Sequence, residues 1–376
     1  MGATGLAANN DNSSFDINPA VLTNYFSTNI SLATNFNYYS YNLLRISDQV
    51  GGTTWDWGSS KLTFEQASVV YPLNKIFSIG VGIFQKLDPQ LVNKKRAITF
   101  SDLFSQETKG GVYSAVFSAG IKIIKEISFG ISVYNYFGNI ESKVIGDNHG
   151  YDIDKWVFFE SKLSGINFKG GILIIKDNWS AGLVFETPFK MNINANSDIS
   201  SDAYFKSLLP EYDQSELNMP WILGAGFSFN GYKNWLVEID VETRQYKKSD
   251  VKFNLYEFGG IPVWETTNIF RVGIQYFDEN ELKIPIRVGY AYIPQLYYSN
   301  NSVGISNNIT GHINTNRNVK NIFTIGTAFK FSILTINLNL EYSIVKWNRT
   351  LVVPFTITDE YSEADFIFST QIIFIL

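Results

Sequence analysis

The chain has 376 residues, 45% hydrophobic, 16% aromatic and only 17% charged, with a net charge of −5. The absence of cysteine excludes disulfides and thiolate metal sites. Two histidines in separate segments, His149 and His312, leave no basis for a His-based metal or catalytic centre, and the mild acidity argues against nucleic acid as a partner. No apolar run of about eighteen residues marks a transmembrane helix. The mean hydropathy of −0.03 is that of a soluble chain. Yet 30 Phe, 21 Tyr and 8 Trp are present, roughly double the usual aromatic share. That excess suits strands and the aromatic girdles of a membrane barrel.

In chain order, the stretch from Met1 to about Thr28 is rich in Asn, Ser and Ala and lacks strand alternation. It is expected to be a separate N-terminal unit, residues 1–28, ahead of a barrel spanning 29–376. The opening Met1-Gly2-Ala3-Thr4-Gly5 is polar and small, so it reads as a mature or truncated start after a secretory leader. Fourteen strands are predicted from there. They are Asn29–Ile46, Ser59–Val70, Ile76–Leu87, Val112–Ile123, Ile127–Glu141, Phe158–Ile175 and Trp179–Ile193, then Pro220–Phe229, Asn234–Tyr246, Asn268–Phe277, Leu282–Ile293, Asn321–Phe331, Leu334–Trp347 and Ser362–Leu376.

The connections alternate between short and long. Pro72–Lys75, Lys125-Glu126, Lys176–Asn178, Gly231–Lys233, Asp278–Asn280 and Ser332-Ile333 are tight turns. Between them stand long polar segments such as Asp88–Gly111, Asn194–Met219, Lys247–Thr267 and Pro294–Lys320. An outer-membrane barrel has short periplasmic turns, long external loops and an even strand number. The faces agree: Trp235, Val237, Ile239 and Val241 oppose Glu238, Asp240 and Glu242, and Leu282, Ile284, Ile286 and Val288 oppose Lys283 and Arg287. A charge facing lipid near the midplane costs about 2–4 kcal/mol, so the charged faces must line the lumen. The expected fold is an all-β transmembrane antiparallel barrel of about 14 strands. A soluble β-sandwich also alternates, but rarely keeps strands this long.

Several stretches resemble, in order, the FadL/TodX family of outer-membrane transporters for hydrophobic compounds. Gly5–Ala8 and Asn18-Pro19-Ala20 resemble its N-terminal hatch. Gly165–Gly171, Trp179–Leu183 and Thr187–Met191 resemble its central hairpin, and Met219-Pro220, Leu223–Gly226, Trp235–Asp240, Phe270–Gly273 and Ile286–Tyr290 continue the series. The resemblance implies a barrel plugged by its hatch. It also implies passive uptake of long-chain fatty acids or aromatic hydrocarbons through a lumen site, with lateral exit where the third strand is kinked. The same hatch pattern occurs in PorV-like barrels of a protein secretion system, so a barrel that docks exported proteins is the alternative. The expected partners are hydrophobic small molecules, detergent or lipid, the outer-membrane lipid, and, under the alternative, other secretion or envelope proteins. No cofactor and no catalytic residue is expected.

The candidate residues each carry two readings. Asn18-Pro19-Ala20 is a bare turn or the heart of the plug. Gly80 and Gly82 on the third strand either permit a wall gap or make room for the plug. Arg271, Lys283 and Arg287 form a salt-bridged ladder with Glu238, Asp240 and Glu242, or an arginine holds the carboxylate of a fatty acid. Trp55 and Trp57 line a capture groove in an external loop or anchor it at headgroup level. Lys94-Lys95-Arg96 binds lipid headgroups or is a solvated charge run.

Overall fold

The computed structural model describes residues 4–7, 14–47, 51–88, 91–97, 102–148, 155–199, 216–232, 234–248, 261–262, 265–278, 282–300, 313–353 and 355–376. Among these, fourteen strands follow one another around a closed antiparallel sheet. They are β1 (Asn29–Ser47), β2 (Gly51–Pro72), β3 (Phe77–Leu87, resuming as Leu91–Ala97), β4 (Asp102–Lys122), β5 (Ile127–Asn148), β6 (Lys155–Lys176) and β7 (Trp179–Glu186 and Phe189–Ile199). The second half holds β8 (Glu216–Met219 and Ile222–Tyr232), β9 (Trp235–Gln245), β10 (Ile261-Pro262 and Thr266–Asp278), β11 (Leu282–Asn300), β12 (Ile313–Lys330), β13 (Leu334–Val353) and β14 (Phe355–Ile375). The ring closes where β1 pairs with β14, from Asn29↔Ile375 to Ser47↔Ile357.

The strand ends that flank the six tight turns lie at the end of the barrel that also holds Asn29 and Ile375. Their chemistry is local. The Asn74 side chain accepts from the Ile76 and Phe77 amides at 2.8 Å each, which closes the β2–β3 turn. Asp177 takes a left-handed backbone, φ 47°, in the two-residue β6–β7 hairpin, a conformation Asp tolerates.

The two faces of the wall differ as the alternation requires. Ile131, Phe117, Ile239, Ile286, Ile325 and Phe368 are exposed on the outside, while Ser118, Ser132, Glu238, Asp240 and Gln371 are buried on the inside. A closed barrel with an exposed apolar outer face has one compatible solvent for that face, the hydrocarbon of a bilayer. None of the described helices is long and apolar enough to cross a membrane.

Several strands overrun the predicted boundaries. Residues 51–58, 102–111, 142–148 and 294–300, expected as loop, continue β2, β4, β5 and β11. β5 and β6 reach 22 residues each, where about 9–11 cross a membrane. Past the bilayer both faces are wet, so the alternation fades while the backbone ladder persists. In the opposite sense, β7 and β8 are each interrupted once, at Thr187-Pro188 and at Pro220-Trp221. The two interruptions face each other, since Glu186↔Ile222 and Phe189↔Met219 pair on either side. Proline has no N–H to give the ladder.

Candidate functional site: a packed N-terminal segment and a seam in the wall

Ahead of β1, Ser14–Ile17 forms one helical turn and Pro19–Asn24 a 3-10 helix, α1 and η1. Phe15, Ala20, Val21 and Leu22 are fully buried against lumen-facing residues of the wall. The sequence makes this segment compact. Asn18 caps η1: its Oδ1 accepts from the Ala20 amide at 3.1 Å, and Pro19 takes the first helical position, where a missing N–H costs nothing. The same side chain donates through Nδ2 to the Leu6 carbonyl at 2.7 Å and to the Ile172 carbonyl of β6 at 3.2 Å. One buried amide thus ties η1, the extended piece at Leu6 and the barrel wall together.

The wall is shaped to receive the segment. Gly130 of β5 faces the Pro19–Ala20 peptide, and Gly182 of β7 faces the Leu6 carbonyl; a Cβ at either position would overlap backbone. Around these glycines the wall supplies hydrogen bonds. Ser180 donates to the Ala7 carbonyl at 2.6 Å, and Thr23 donates to Ser128 at 2.7 Å. Asp16 binds Lys86 of β3 through both oxygens at 2.6 Å, while its carbonyl accepts from Tyr134 (2.9 Å) and Lys169 (2.8 Å). Lys169 also pairs with Glu186 at 3.3 Å. Backbone buried in the lumen therefore finds partners.

The candidate residues divide sharply. Glu238 and Asp240 of β9 meet the N-terminal segment: Thr4 donates to Glu238 at 2.6 Å, and the Gly5 and Leu6 amides donate to Asp240 Oδ2 at 2.8 and 3.2 Å. Glu242 pairs with Arg271 at 3.2 Å and with Arg244. Arg287 donates to Gln275 at 2.8 Å and to Asn337 at 3.3 Å. So one rung, Glu242–Arg271, has the cross-strand character expected of a ladder, and the other two carboxylates serve residues more than 230 positions away. Trp55 and Trp57 stand on β2 rather than in a loop, opposite Leu43 and Tyr41 of β1. Lys94, Lys95 and Arg96 belong to the second piece of β3. The side chains of Trp55, Trp57, Lys94, Lys95, Arg96 and Lys283, and both histidines, lie outside the described residues.

Gly80 and Gly82 both face the lumen. Beside Gly80, Leu22 lies 3.0 Å and Phe15 3.3 Å from where a Cβ would stand. Beside Gly82 the Phe84 ring lies at 2.7 Å, and Phe84 in turn meets Phe15 edge-on at 5.4 Å. Just beyond, the β2–β3 pairing ends. The β2–β3 ladder runs from Pro72↔Ser78 to Gln66↔Phe84 and stops. Glu65 is a bulge in β2 against β1, and Lys86 is a bulge in β3 against β4. Two bulges at one level on adjacent strands bend both away from a common ladder. Six residues above Pro72, about 20 Å along the strand, the pairing ends within the membrane-crossing length and the two strands run on as an unpaired seam. Its outer end is bridged by an ion pair, Lys61 to Asp88 at 3.0 Å. No sequence signal pointed to Lys86, Asp16 or the bulges; the parity slip between Gln66 and Phe64 was the one trace available.

The comparisons with known proteins agree with this architecture. A Pseudomonas aeruginosa FadL homologue aligns at TM-score 0.62 and 13% identity, over 99% of this chain and 95% of that one. The Pseudomonas putida toluene transporter TodX aligns at 0.62 and 12%, over 99% and 96%, and the CymD monoaromatic hydrocarbon channel at 0.60 and 15%, over 100% and 96%. At these identities the likeness is one of fold. No curated protein sequence matches the chain. The family described as BamG matches residues 1–347. The chain therefore belongs to the BamG family, as an outer-membrane β-barrel with the FadL/TodX fold.

Proposed function

We propose that this barrel lets hydrophobic small molecules diffuse through the outer membrane, past an N-terminal plug and out sideways through the β2–β3 seam. The observation that carries the reading is the seam itself, an unpaired stretch at membrane depth that begins at Gln66↔Phe84 beside the packed segment. A molecule leaving there enters lipid without crossing the aqueous space below. The similar solved structures include transporters of toluene and of monoaromatic hydrocarbons, which favours aromatic hydrocarbons as cargo. Residues 1–28 act as the plug, fastened by Asn18, Asp16 and the Glu238–Asp240 pair.

The test uses a chain without native cysteine. Phe64→Cys and Leu87→Cys, bridged by a flexible bis-maleimide, tie the lips of the seam together. Uptake of a hydrophobic fluorophore into proteoliposomes should fall to the protein-free rate when bridged and stay normal with the two cysteines unbridged. Undiminished uptake through the bridged barrel would refute lateral exit. The second reading, a docking barrel of the PorV kind, draws on the height of β5 and β6 above the bilayer. It predicts uptake at the protein-free rate in every variant.

A further inference from the structure

Two buried hydroxyls at the inner mouth of the seam lack hydrogen-bond partners: Ser68 Oγ on β2 and Ser114 Oγ on β4. Ser68 is 4% exposed and Ser114 is fully buried. Elsewhere in this wall serines find one another, as Ser118 and Ser132 do at 2.6 Å. Buried polar groups are as a rule hydrogen-bonded, so two orphan hydroxyls on the strands either side of β3 call for an explanation.

The packing supplies one. Ser68 is the cross-strand partner of Gly82, and Ser114 that of Phe84. Gly82 has no side chain, and the Phe84 ring leans into the space it leaves, 2.7 Å from where a Cβ would be. The ring thus lies over the strip between the two serines. It is held there by Phe15 of the N-terminal segment, edge-on at 5.4 Å. Withdrawal of that segment removes the support, and the ring can rotate off the glycine. What it uncovers is a pocket floor of one glycine flanked by two hydroxyls, each able to donate and to accept, with Gln66 and the Lys86 ammonium beside the ring.

We propose that Ser68, Gly82 and Ser114 form a concealed subsite for the oxygen-bearing end of a hydrophobic molecule (an alcohol, a phenol or a carboxylic acid), with Phe84 as its door. The proposal deepens the passage reading and rests on it. It places the barrel's preference with oxygenated hydrophobes over plain hydrocarbons, because a site with unpaired polar groups discriminates against a ligand that leaves them unpaired.

The test compares 1-naphthol with naphthalene, which differ by one hydroxyl. Binding of each to the full chain in lipid nanodiscs is followed by ligand fluorescence and corrected for empty nanodiscs. Phe84→Ala opens the door and should raise the naphthol-to-naphthalene binding ratio about tenfold, the worth of one net hydrogen bond; Phe84→Leu replaces it if the alanine variant does not assemble. Adding Ser68→Ala and Ser114→Ala to that background should return the ratio to the value for the native chain. A ratio insensitive to the serine substitutions overturns the subsite. So does a large fall in thermal stability of the serine double variant, since it would mean the hydroxyls are already bonded within the fold. Either result leaves the bridged-seam assay untouched, and failure of that assay leaves the binding ratio readable.

Discussion

Replacing Asn18 with alanine should unfasten the N-terminal segment while leaving the barrel intact. The side chain is fully buried and makes three hydrogen bonds, to the Ala20 amide and to the Leu6 and Ile172 carbonyls. Loss of an N-cap of this type costs about 1 kcal/mol. The two carbonyls left without their donor add about 1 kcal/mol each at the low end for a stranded buried group. The sum is about 3 kcal/mol, or about a hundredfold in the opening equilibrium of the segment. Hydrogen exchange reads this directly. The Val21 amide, bonded to the Asn18 carbonyl at 3.1 Å, and the Tyr25 amide, bonded to Leu22 at 3.3 Å, should exchange about a hundredfold faster. Amides of the β5–β6 ladder should keep their protection. Asn18→Asp sharpens the test. Aspartate caps as well as asparagine, so it would rescue exchange if capping were the whole role. It has no donor for Leu6 and Ile172 and sets a carboxylate against two carbonyls, so it should be no better than alanine. Unchanged exchange in the alanine variant, or full rescue by aspartate, would refute the argument.

Other perturbations follow from the same contacts. Gly182→Val places a side chain on the Leu6 carbonyl, so planar-bilayer recordings should show a higher small-ion conductance; a conductance equal to the native one would count against residues 1–28 as a plug. Lys86→Gln removes the pair with Asp16; the half-buried bond should cost about 1–3 kcal/mol, read as faster exchange of the Asn18 amide, bonded to the Ser14 carbonyl at 2.8 Å, with the wall unaffected. The double variant with Asp16→Asn should be less damaged than the two single effects summed, and strict additivity would show that the pair is not a coupled lock. Arg271→Gln and Arg287→Gln should leave fatty-acid uptake near normal, because Arg271 is engaged by Glu242 and Arg287 by Gln275 and Asn337. Abolished uptake with intact folding would instead restore an arginine as the carboxylate holder.

The amino-acid sequence by itself determines the wall. Trp235, Val237 and Ile239 against Glu238 and Asp240 state which face meets lipid, because a strand sends neighbouring side chains to opposite sides and hydrocarbon rejects charge. The order of tight turns and long connections then gave strand number and closure. The same rule misjudged residues 51–58 and 102–111, where water on both faces removes the pattern and only the backbone ladder holds the strand. Tertiary structure alone decided what the inward charges do. Arg271 and Arg287 were the near candidates for Glu238 and Asp240, yet those carboxylates bind Thr4, Gly5 and Leu6 from the far end of the chain. It also decided where the β2–β3 pairing ends, since a bulge is a single extra residue whose consequence depends on a second bulge, Glu65 on one strand and Lys86 on the next. Side-chain alternation is a local property of one strand, whereas pairing across the lumen and loss of pairing at the seam depend on which distant residues the closed ring brings face to face.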